Sequence, residues 1–461
     1  MVQQNSSSLI ERMDRLPVNR AHWKIAMIGG LGLLFDGMDG SLVSYILPIL
    51  RDKWALDGLQ SGLIGSSLLI GMLIGALTAG PISDRIGRRR VMMWALLLFT
   101  LATFVAAFSM NWQMFFLLRV LAGIGIGAES AVIPTYVAEL IPAKRRGLFA
   151  GAVAGFLAFG YVLASLIGYF VVARFDDGWR YGQIITAIPV LLVLWWRRAM
   201  PESPRWLLSR GENDKAEEIV GGIERGVLVP VTSPLSWKAQ GDGTNSPAKL
   251  IQHHELLGRD LLGRTLLLWL IWMALTFSFF GFFSWIPSLL VDRGLTVTTS
   301  FSYVLLMTIA QIPGYYGAAW LNEKIGRKTN IALFLAIGTA GAWLLSQSVD
   351  PWQVIASGAL LSAGMNGTYA ALYAYTPEVY PTRLRATGMG MASAVGRIGG
   401  IAAPIIIGVS QQALGFAGVF IMIMSVLAVT AVLVVVFGVS TKGRSLESLT
   451  EAVPIVTQKE N

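Results

Sequence analysis

Long apolar segments separated by short polar loops follow one another along almost the whole chain of 461 residues. An α-helix needs roughly 20 predominantly apolar residues to cross a bilayer. The pattern therefore predicts an all-α membrane protein with twelve transmembrane helices. The predicted spans are residues 23–50, 62–83, 91–109, 112–140, 147–172, 180–199, 262–290, 299–321, 329–348, 352–380, 386–410 and 414–438.

A polar stretch at residues 201–261 divides these spans into two groups of six. Its first part predicts a short, capped amphipathic helix from Asn213 onward, and its Gly, Ser, Pro and Thr residues at 232–247 predict a loop. The sequence thus predicts an N-terminal segment (1–22), a six-helix half (23–200), a linker (201–261), a second six-helix half (262–438) and a tail (439–461).

The two halves repeat each other at a constant shift of 239 positions, without a gap. Tyr136, Glu139, Pro142 and Arg146 in the first half correspond to Tyr375, Glu378, Pro381 and Arg385 in the second. The same shift carries Asp84, Arg85, Gly87 and Arg88 onto Glu323, Lys324, Gly326 and Arg327. Internal repeats of this kind indicate two pseudo-symmetric copies of one membrane unit.

Composition and loop charges agree with this reading. The chain is 54% hydrophobic and only 14% charged, whereas a soluble domain is about a quarter charged. The loops after spans two, four, eight and ten hold twelve Lys and Arg, and the opposite loops hold five. The positive-inside rule therefore places both termini in the cytoplasm and accounts for the net charge of +9 without nucleic acid. Residues 1–22 contain no signal peptide, and their charges are most simply solvated.

Several kinds of chemistry are excluded by residue type. The chain has no Cys, and its three His residues lie outside the predicted spans. No nucleophile–base constellation or metal-ligand cluster is present in the sequence, so we expect neither an enzyme nor a bound metal or cofactor.

Four motifs in order resemble the major facilitator superfamily, in particular its sugar-porter branch and organic-ion relatives. They are GPISDRIGRRR at 80–90, the stretch from Arg119 to Gly147, PESPRWL at 201–207 and STKGRSLE at 440–447. The resemblance covers nearly the whole chain and implies alternating-access transport through a site between the halves. The last motif usually begins Pro-Glu, whereas Gly438 and Val439 precede Ser440 here.

Two further stretches refine the resemblance. FDGMD at 35–39 contains Asp39, which matches the single acid of sugar porters, and an extra Asp36. That extra acid is similar to bacterial carriers of aromatic acids and niacin, and to animal organic-ion and synaptic-vesicle proteins. Arg397, in TGMGMASAVGRIGGIAAP, resembles an arginine of the organic-anion carriers. The resemblance therefore implies a small organic anion as substrate.

Five charged residues lie deep inside predicted spans, at bilayer depth: Asp36, Asp39, Arg119, Glu129 and Arg397. Each costs at least about 2.5–3.5 kcal/mol on insertion scales, so such groups face a partner or a cavity. At a rise of about 1.5 Å per residue, Asp39 and Arg119 reach similar depths and can pair. We predict that Asp39 carries a coupled proton and that Asp36 tunes it; the alternative is a static ion pair that fixes helix packing.

Arg397 and Glu129 leave alternatives open. Arg397 either binds an anionic substrate through its planar guanidinium or is neutralised by Glu129 or Asp36. Glu129 is a second proton site, a partner for Arg397, or a lid on a water-filled cavity.

Aromatic residues concentrate in the seventh and tenth spans, whose counterparts line the cavity in the superfamily. Phe280, Phe283, Tyr369 and Tyr373 are candidates to hold a flat ring, and Gln311 and Asn366 to recognise a ring nitrogen or hydroxyl. The alternative is that these side chains only pack against helices or lipid.

By the same resemblance, two similar sets of charged residues form a cytoplasmic gate. The sets are Asp84, Arg85, Arg88, Glu139 and Arg146, and Glu323, Lys324, Arg327, Glu378 and Arg385. The alternative is a plain topology signal.

These observations predict a secondary active transporter in the bacterial inner membrane. Its expected partners are protons, the lipid bilayer and a small aromatic monocarboxylate such as niacin, and we expect a monomer. The alternatives are a sugar or organic-cation carrier of the same superfamily, and a ligand-binding receptor that does not transport.

Overall fold

The structure is a computed structural model, and it describes residues 2–142, 145–188, 195, 200–229, 253–258, 261–381 and 384–441. Within these ranges the regular elements are helices, and no strand is present. The loop predicted at 232–247 and the last motif beyond Thr441 lie outside the described residues.

The first nine helices begin with a short N-terminal one and end in the polar linker. They are α1 (Val2–Arg15), α2 (Arg20–Lys53), α3 (Gly58–Ile86), α4 (Arg88–Ala106), α5 (Trp112–Leu140), α6 (Arg146–Ile167), α7 (Gly178–Thr186), α8 (Pro204–Ser209) and α9 (Asn213–Glu224). A π-helical turn, Gly168–Val172, extends α6. The sixth predicted span begins with α7, and most of its residues 189–199 lie outside the described part.

The remaining helices follow the second half of the repeat. They are α10 (His253–Leu256), α11 (Leu262–Asp292), α12 (Val297–Ile309), α13 (Gln311–Ile325), α14 (Arg327–Gln347), α15 (Pro351–Val379) and α16 (Arg385–Phe437). Together α12 and α13 occupy the eighth predicted span, which is interrupted at Ala310. The prediction had treated this span as continuous.

The last helix holds two predicted spans. Gly415 has φ 61° and ψ −174° inside α16, a backbone conformation that side chains with a Cβ rarely adopt. This residue therefore separates the eleventh and twelfth spans two residues after the predicted gap at 411–413. By length and composition, nine helices of the described chain can cross a membrane, and α16 is counted once among them.

The chain divides into two compact units, residues 1–56 with 63–237, and residues 57–62 with 238–461. In the first unit α2 packs along α6 and α4 along α5; in the second α11 packs along α16 and α14 along α15. The predicted domain boundaries stay a prediction.

Glycines permit the closest helix contacts, and these contacts obey the 239-residue shift. A Cβ atom added to Gly125 would lie 2.5 Å from the carbonyl oxygen of Ala95. One added to Gly364 would lie 3.0 Å from the carbonyl oxygen of Phe334. Because all four positions are related by the shift, the repeat extends from sequence to packing of α4 on α5 and α14 on α15.

The N-terminal helix is attached to the linker. Arg12 bonds to Glu217 and Glu224 on α9 at 2.7 and 2.9 Å, and Asp14 pairs with Arg205 on α8 at 3.1 Å. These charges are thus paired rather than simply solvated. The predicted linker helix from Asn213 is present as α9, although its first turn has no side-chain cap.

Candidate functional site

Asp39 and Arg119 form a fully buried ion pair in the first unit. Arg119 Nη1 donates to Asp39 Oδ1 and Oδ2 at 2.9 and 2.8 Å, and Nη2 donates to the Asp39 carbonyl oxygen at 3.1 Å. Thr103 Oγ1 also donates to Asp39 Oδ1, at 3.1 Å. Both charged side chains have 0% exposure. The pair therefore joins α2, α4 and α5 at the depth that helix geometry predicted.

Asp36 and Glu129 lie in the same unit but have a different environment. Their exposures are 4% and 0%, and no described donor bonds to any of their four carboxyl oxygens. Asp36 interacts electrostatically with both Glu129 and Asp39. The structure thus brings together the four charged residues predicted on α2 and α5. No described group of acidic or histidine residues is arranged to hold a metal ion.

Arg397 lies on α16 in the second unit, beside aromatic side chains of α11 and α15. It interacts electrostatically with Tyr373, and both side chains are partly exposed. The preceding residue, Gly396, packs on α11: a Cβ added there would lie 3.1 Å from Thr276 Oγ1 and 3.4 Å from Trp272 Cβ. The backbone of Arg397 therefore lies next to the position where α16 contacts Trp272 and Thr276.

Trp272 is the centre of this aromatic group, and the sequence reasoning missed it. Its ring centroid lies 5.1 Å from that of Tyr373 and 6.1 Å from that of Tyr369. Its Nε1 donates to Thr376 Oγ1 at 2.9 Å, and the Tyr369 hydroxyl bonds to Thr276 Oγ1 at 3.2 Å. We call Arg397, Trp272, Thr276, Tyr369 and Tyr373 the arginine–aromatic cluster. In the sequence, the one sign of its role is that Trp272 lies two helical turns before the phenylalanine run that begins at Phe279.

The other predicted ligand-binding residues occupy neighbouring positions. Phe280 and Phe283 both contact Phe279, whose ring lies 5.5 Å from that of Tyr369. Gln311 is buried at the start of α13, and no described donor reaches its Oε1. Asn366 is also buried, and its amide donates to the Ser362 carbonyl oxygen of its own helix at 3.3 Å. Their roles stay predictions.

The charged motif residues form two ion networks with the same geometry. In the first, Arg88 contacts Asp84 at 2.9 Å and Glu139 at 3.2 Å. In the second, Arg327 contacts Glu323 at 3.1 Å and Glu378 at 3.0 Å. Each arginine also donates to a carbonyl oxygen, that of Ser83 or Asn322. Every member is related to its counterpart by the 239-residue shift, so both units contain the same ion network.

The remaining predicted members are placed as follows. Arg85 is exposed and Arg385 is half-buried. Arg146 begins α6, but its side chain lies outside the described part. Gly87 and Gly326, with φ of 101° and 87°, make the turns that start α4 and α14, a conformation that favours glycine.

Glu202 is a functional candidate that the sequence analysis did not single out. Its side chain is buried, and Oε1 accepts hydrogen bonds from the backbone N–H groups of Arg88, Arg89 and Ser203 at 3.0, 3.2 and 3.0 Å. It therefore caps the N-terminus of α4, where a carboxylate is electrostatically favoured. Burial raises the pKa of Glu202 above its usual value, and these backbone hydrogen bonds oppose that effect.

The corresponding motif at the end of the second unit departs from this arrangement. The Tyr136 hydroxyl donates to the Pro201 carbonyl oxygen at 3.0 Å, and the Tyr375 hydroxyl donates to that of Val439 at 2.9 Å. Val439 thus stands where Pro201 does, and the exposed Ser440 follows it where Glu202 follows Pro201. The Pro-Glu pair missing from the sequence motif is therefore also missing from the structural position.

Comparison with known proteins agrees with the geometry. Residues 24–453 match the family described as Sugar (and other) transporter. The chain is 39% identical to the niacin transporter NiaP of Acinetobacter baylyi, over 96% of this chain and 99% of that protein. It is 29% identical to the gallate transporter of Pseudomonas putida, over 84% and 85% of the two chains.

Among solved structures, the inward-open xylose transporter XylE from E. coli is similar, with a TM-score of 0.77 over 94% of this chain and 100% of that one. Its 20% sequence identity makes this a likeness of fold, and it confirms the predicted twelve-helix major facilitator fold. The chain therefore belongs to the sugar (and other) transporter family of the major facilitator superfamily, and it is a multi-pass membrane transporter of a small molecule.

Proposed function

We propose that this protein transports niacin, or a closely related aromatic monocarboxylate, by proton-coupled alternating access. The observation that carries the proposal is the 39% identity to a niacin transporter over almost the full length of both chains. The gallate transporter, a second relative, also has an aromatic carboxylate as its named substrate. Niacin combines a flat pyridine ring with one carboxylate.

The arginine–aromatic cluster has the two properties that such a molecule requires. The guanidinium of Arg397 offers a planar donor pair that matches a carboxylate. Trp272, Tyr369 and Tyr373 supply aromatic faces and edges beside it. Aromatic rings prefer offset or edge-to-face contacts with a bound ring. One unit thus contains both a group that can bind the carboxylate and aromatic side chains that can contact the ring.

The proton gradient is proposed as the driving force, with no cofactor. Buried acidic groups in transporters commonly take part in proton transfer, and Asp36, Asp39 and Glu129 are all buried in the first unit. We place the protein in a bacterial inner membrane as a monomer, with both termini and both ion networks on the cytoplasmic side. The charge asymmetry of the loops supports this orientation.

Ligand-induced stabilisation of the purified protein tests the substrate class. A ligand that binds only the folded state raises its stability in proportion to RT ln(1 + [L]/Kd). We expect niacin and benzoate to raise the unfolding temperature, and nicotinamide, xylose and carnitine to leave it unchanged. Nicotinamide is the matched control because it keeps the pyridine ring and lacks the carboxylate. Stabilisation by xylose or carnitine without niacin would replace the proposal with a sugar or organic-cation carrier.

Counterflow in proteoliposomes separates transport from mere binding. Vesicles loaded with unlabelled niacin should take up labelled niacin faster than empty vesicles. Niacin stabilisation with no counterflow would indicate a receptor that does not transport.

A further inference from the structure

Asp36 and Glu129 form a pair of buried acids in the first unit, and their charges interact with each other. All four carboxyl oxygens are inaccessible to solvent and receive no hydrogen bond from a described donor. Two ionised carboxylates so placed would each require several kcal/mol of desolvation and would also repel each other. A proton on one of the two groups removes its charge and the repulsion, so the two carboxyl groups titrate as a pair.

Arg119, the basic residue inside α5, is bound to Asp39. Arg119 donates to both carboxylate oxygens and to the carbonyl oxygen of Asp39. A second donor, Thr103, also binds that carboxylate. Asp39 is therefore the acid that this arrangement keeps ionised, and Asp36, one turn away, is left without such a partner.

Among the described residues of the first unit, the long helices that pack on α2 and α5 carry no charge over most of their length. Residues 59–83, 91–106 and 149–172 of α3, α4 and α6 contain no Asp, Glu, Lys, Arg or His. The charged groups on α7 and α8 have partners elsewhere: Arg180 donates to the carbonyl oxygens of Ala107 and Ser109, and Arg205 pairs with Asp14. The phenols of α2 to α6 and of the π-helical turn after α6 are Tyr45, Tyr136, Tyr161 and Tyr169. Those of Tyr45 and Tyr136 bond to Ser165 and to the Pro201 carbonyl oxygen.

We propose that Asp36 and Glu129 together hold one proton and form the proton-binding site of the carrier, while Asp39 stays ionised against Arg119. The proton enters from water as one carboxylate oxygen becomes a hydroxyl, and it returns to water when the transport cycle exposes the pair. This inference rests on the proposed proton-coupled function and moves the proton from Asp39, where the sequence placed it, to the neighbouring pair.

Infrared spectroscopy of the purified full-length protein tests the inference without a substrate. The C=O stretch of a protonated carboxyl group is separate from the bands of ionised carboxylates. At neutral pH, the difference spectrum between wild type and Asp36→Asn/Glu129→Gln should contain one protonated-carboxyl band. Each single variant should shift that band, because the remaining group loses its partner. The matched control, Glu139→Gln, changes an acid that pairs with Arg88 and should leave the band in place.

Two outcomes overturn the inference. One is a difference spectrum with no protonated-carboxyl band; the other is a band that neither single variant shifts. The single variants decide the matter even if the double variant fails to fold.

Calorimetry with niacin in two buffers of different protonation enthalpy adds a linked readout. Above the pH at which the infrared band disappears, the number of protons taken up on niacin binding should differ from zero in wild type and fall toward zero in the double variant. Unchanged proton exchange in the double variant would contradict the inference. No niacin binding by wild type would instead contradict the proposed substrate, and the infrared result would still decide where the proton resides.

Discussion

Arg119 and Asp39 are both charged and have 0% exposure. Each charge compensates for the hydration that the other loses on burial. Three hydrogen bonds from one guanidinium and one from Thr103 replace the water that both groups lose. Burial of such a pair contributes little net stability, but removal of one partner leaves a bare charge. The pair therefore constrains how α2, α4 and α5 can move relative to one another.

We predict that Arg119→Leu lowers the free energy of unfolding by about 3–5 kcal/mol, because Asp39 is left buried without its counter-charge. The measurement is thermal unfolding of the purified variant in detergent. A double variant, Asp39→Asn/Arg119→Leu, is the control and should recover part of the loss. An unfolding temperature for Arg119→Leu equal to that of wild type would contradict this view of the pair.

Arg397 carries the substrate prediction at the residue scale. Arg397→Ala should weaken niacin binding by about 2–5 kcal/mol, the cost of removing one partner of a desolvated charge pair, which is roughly 30-fold or more in Kd. Arg397→Lys should restore only part of the affinity, because an ammonium lacks the planar fork. Calorimetric Kd values measure both effects. Normal niacin binding by Arg397→Ala would show that the Arg397 guanidinium does not bind the substrate carboxylate.

The partner of a residue was predictable from the sequence where its position along the helix was enough to identify that partner. The rise per residue placed Asp39 level with Arg119, and the structure forms that pair. Trp272 was not predictable, because α11 is apolar around its whole circumference and its sequence does not show which face meets α15. The relation of Asp36 to Glu129 also depends on the rotation of two helices about their axes, which hydropathy does not reveal.

At the scale of elements, helix ends carry most of the polar interactions. α4 starts at a glycine with positive φ, and its first N–H groups are capped by a carboxylate from the linker. The cap is buried, so its protonation is coupled to folding. That coupling gives a dependence of stability on pH with a definite sign.

Because burial raises the pKa of Glu202 in the folded protein, the folded state binds this proton more tightly than the unfolded state. The associated stability is present below the ordinary value of 4.5 and is lost as pH rises through the folded-state pKa. Glu202→Gln keeps an acceptor for the cap and should remove this slope. Glu202→Ala removes the cap as well and should be less stable than Glu202→Gln by about 0.5–2 kcal/mol at every pH.

Thermal unfolding of the three proteins from acidic to neutral pH measures this prediction. A slope in Glu202→Gln equal to that of wild type would show that another group is responsible.

Element boundaries followed from hydropathy, with differences of a few residues at most ends. The break at Gly415 was predictable as a gap between spans, since positive φ requires a residue that the sequence displays. The break at Ala310 has no positive φ, but Pro313 lies three residues after it and cannot donate a backbone N–H to the helix. The attachment of α1 to α9 was missed because it rests on the polar pairs of Arg12 and Asp14, and polar segments give no sign of their partner.

At the scale of the whole molecule, the internal repeat is the feature that sequence and structure share most completely. The two ion networks match member by member, with all contacts between 2.9 and 3.2 Å. The units differ at one end, where Glu202 caps α4 and Ser440 occupies the corresponding motif position in the second unit. The shift of 239 predicted the shared part, and the structure shows that the missing Pro-Glu of the last motif coincides with the place where the two units differ.

We predict that Arg88→Gln and Arg327→Gln slow transport and leave the Kd for niacin unchanged, because both arginines pair with the acids of the two networks and not with members of the arginine–aromatic cluster. Partly exposed pairs contribute up to about 1 kcal/mol each, so each variant should reduce the rate by about fivefold at most. Arg85→Gln is the matched control, since this neighbouring arginine is exposed. Loss of binding without a change in rate would contradict a gating role.

Gradient-driven uptake of labelled niacin by proteoliposomes tests the central claim most directly. With a proton gradient directed into the vesicles, the account predicts accumulation above the external concentration, and a protonophore should reduce it to equilibration. Equal uptake with and without the gradient would contradict proton coupling, and no uptake of niacin under either condition would contradict the proposed substrate.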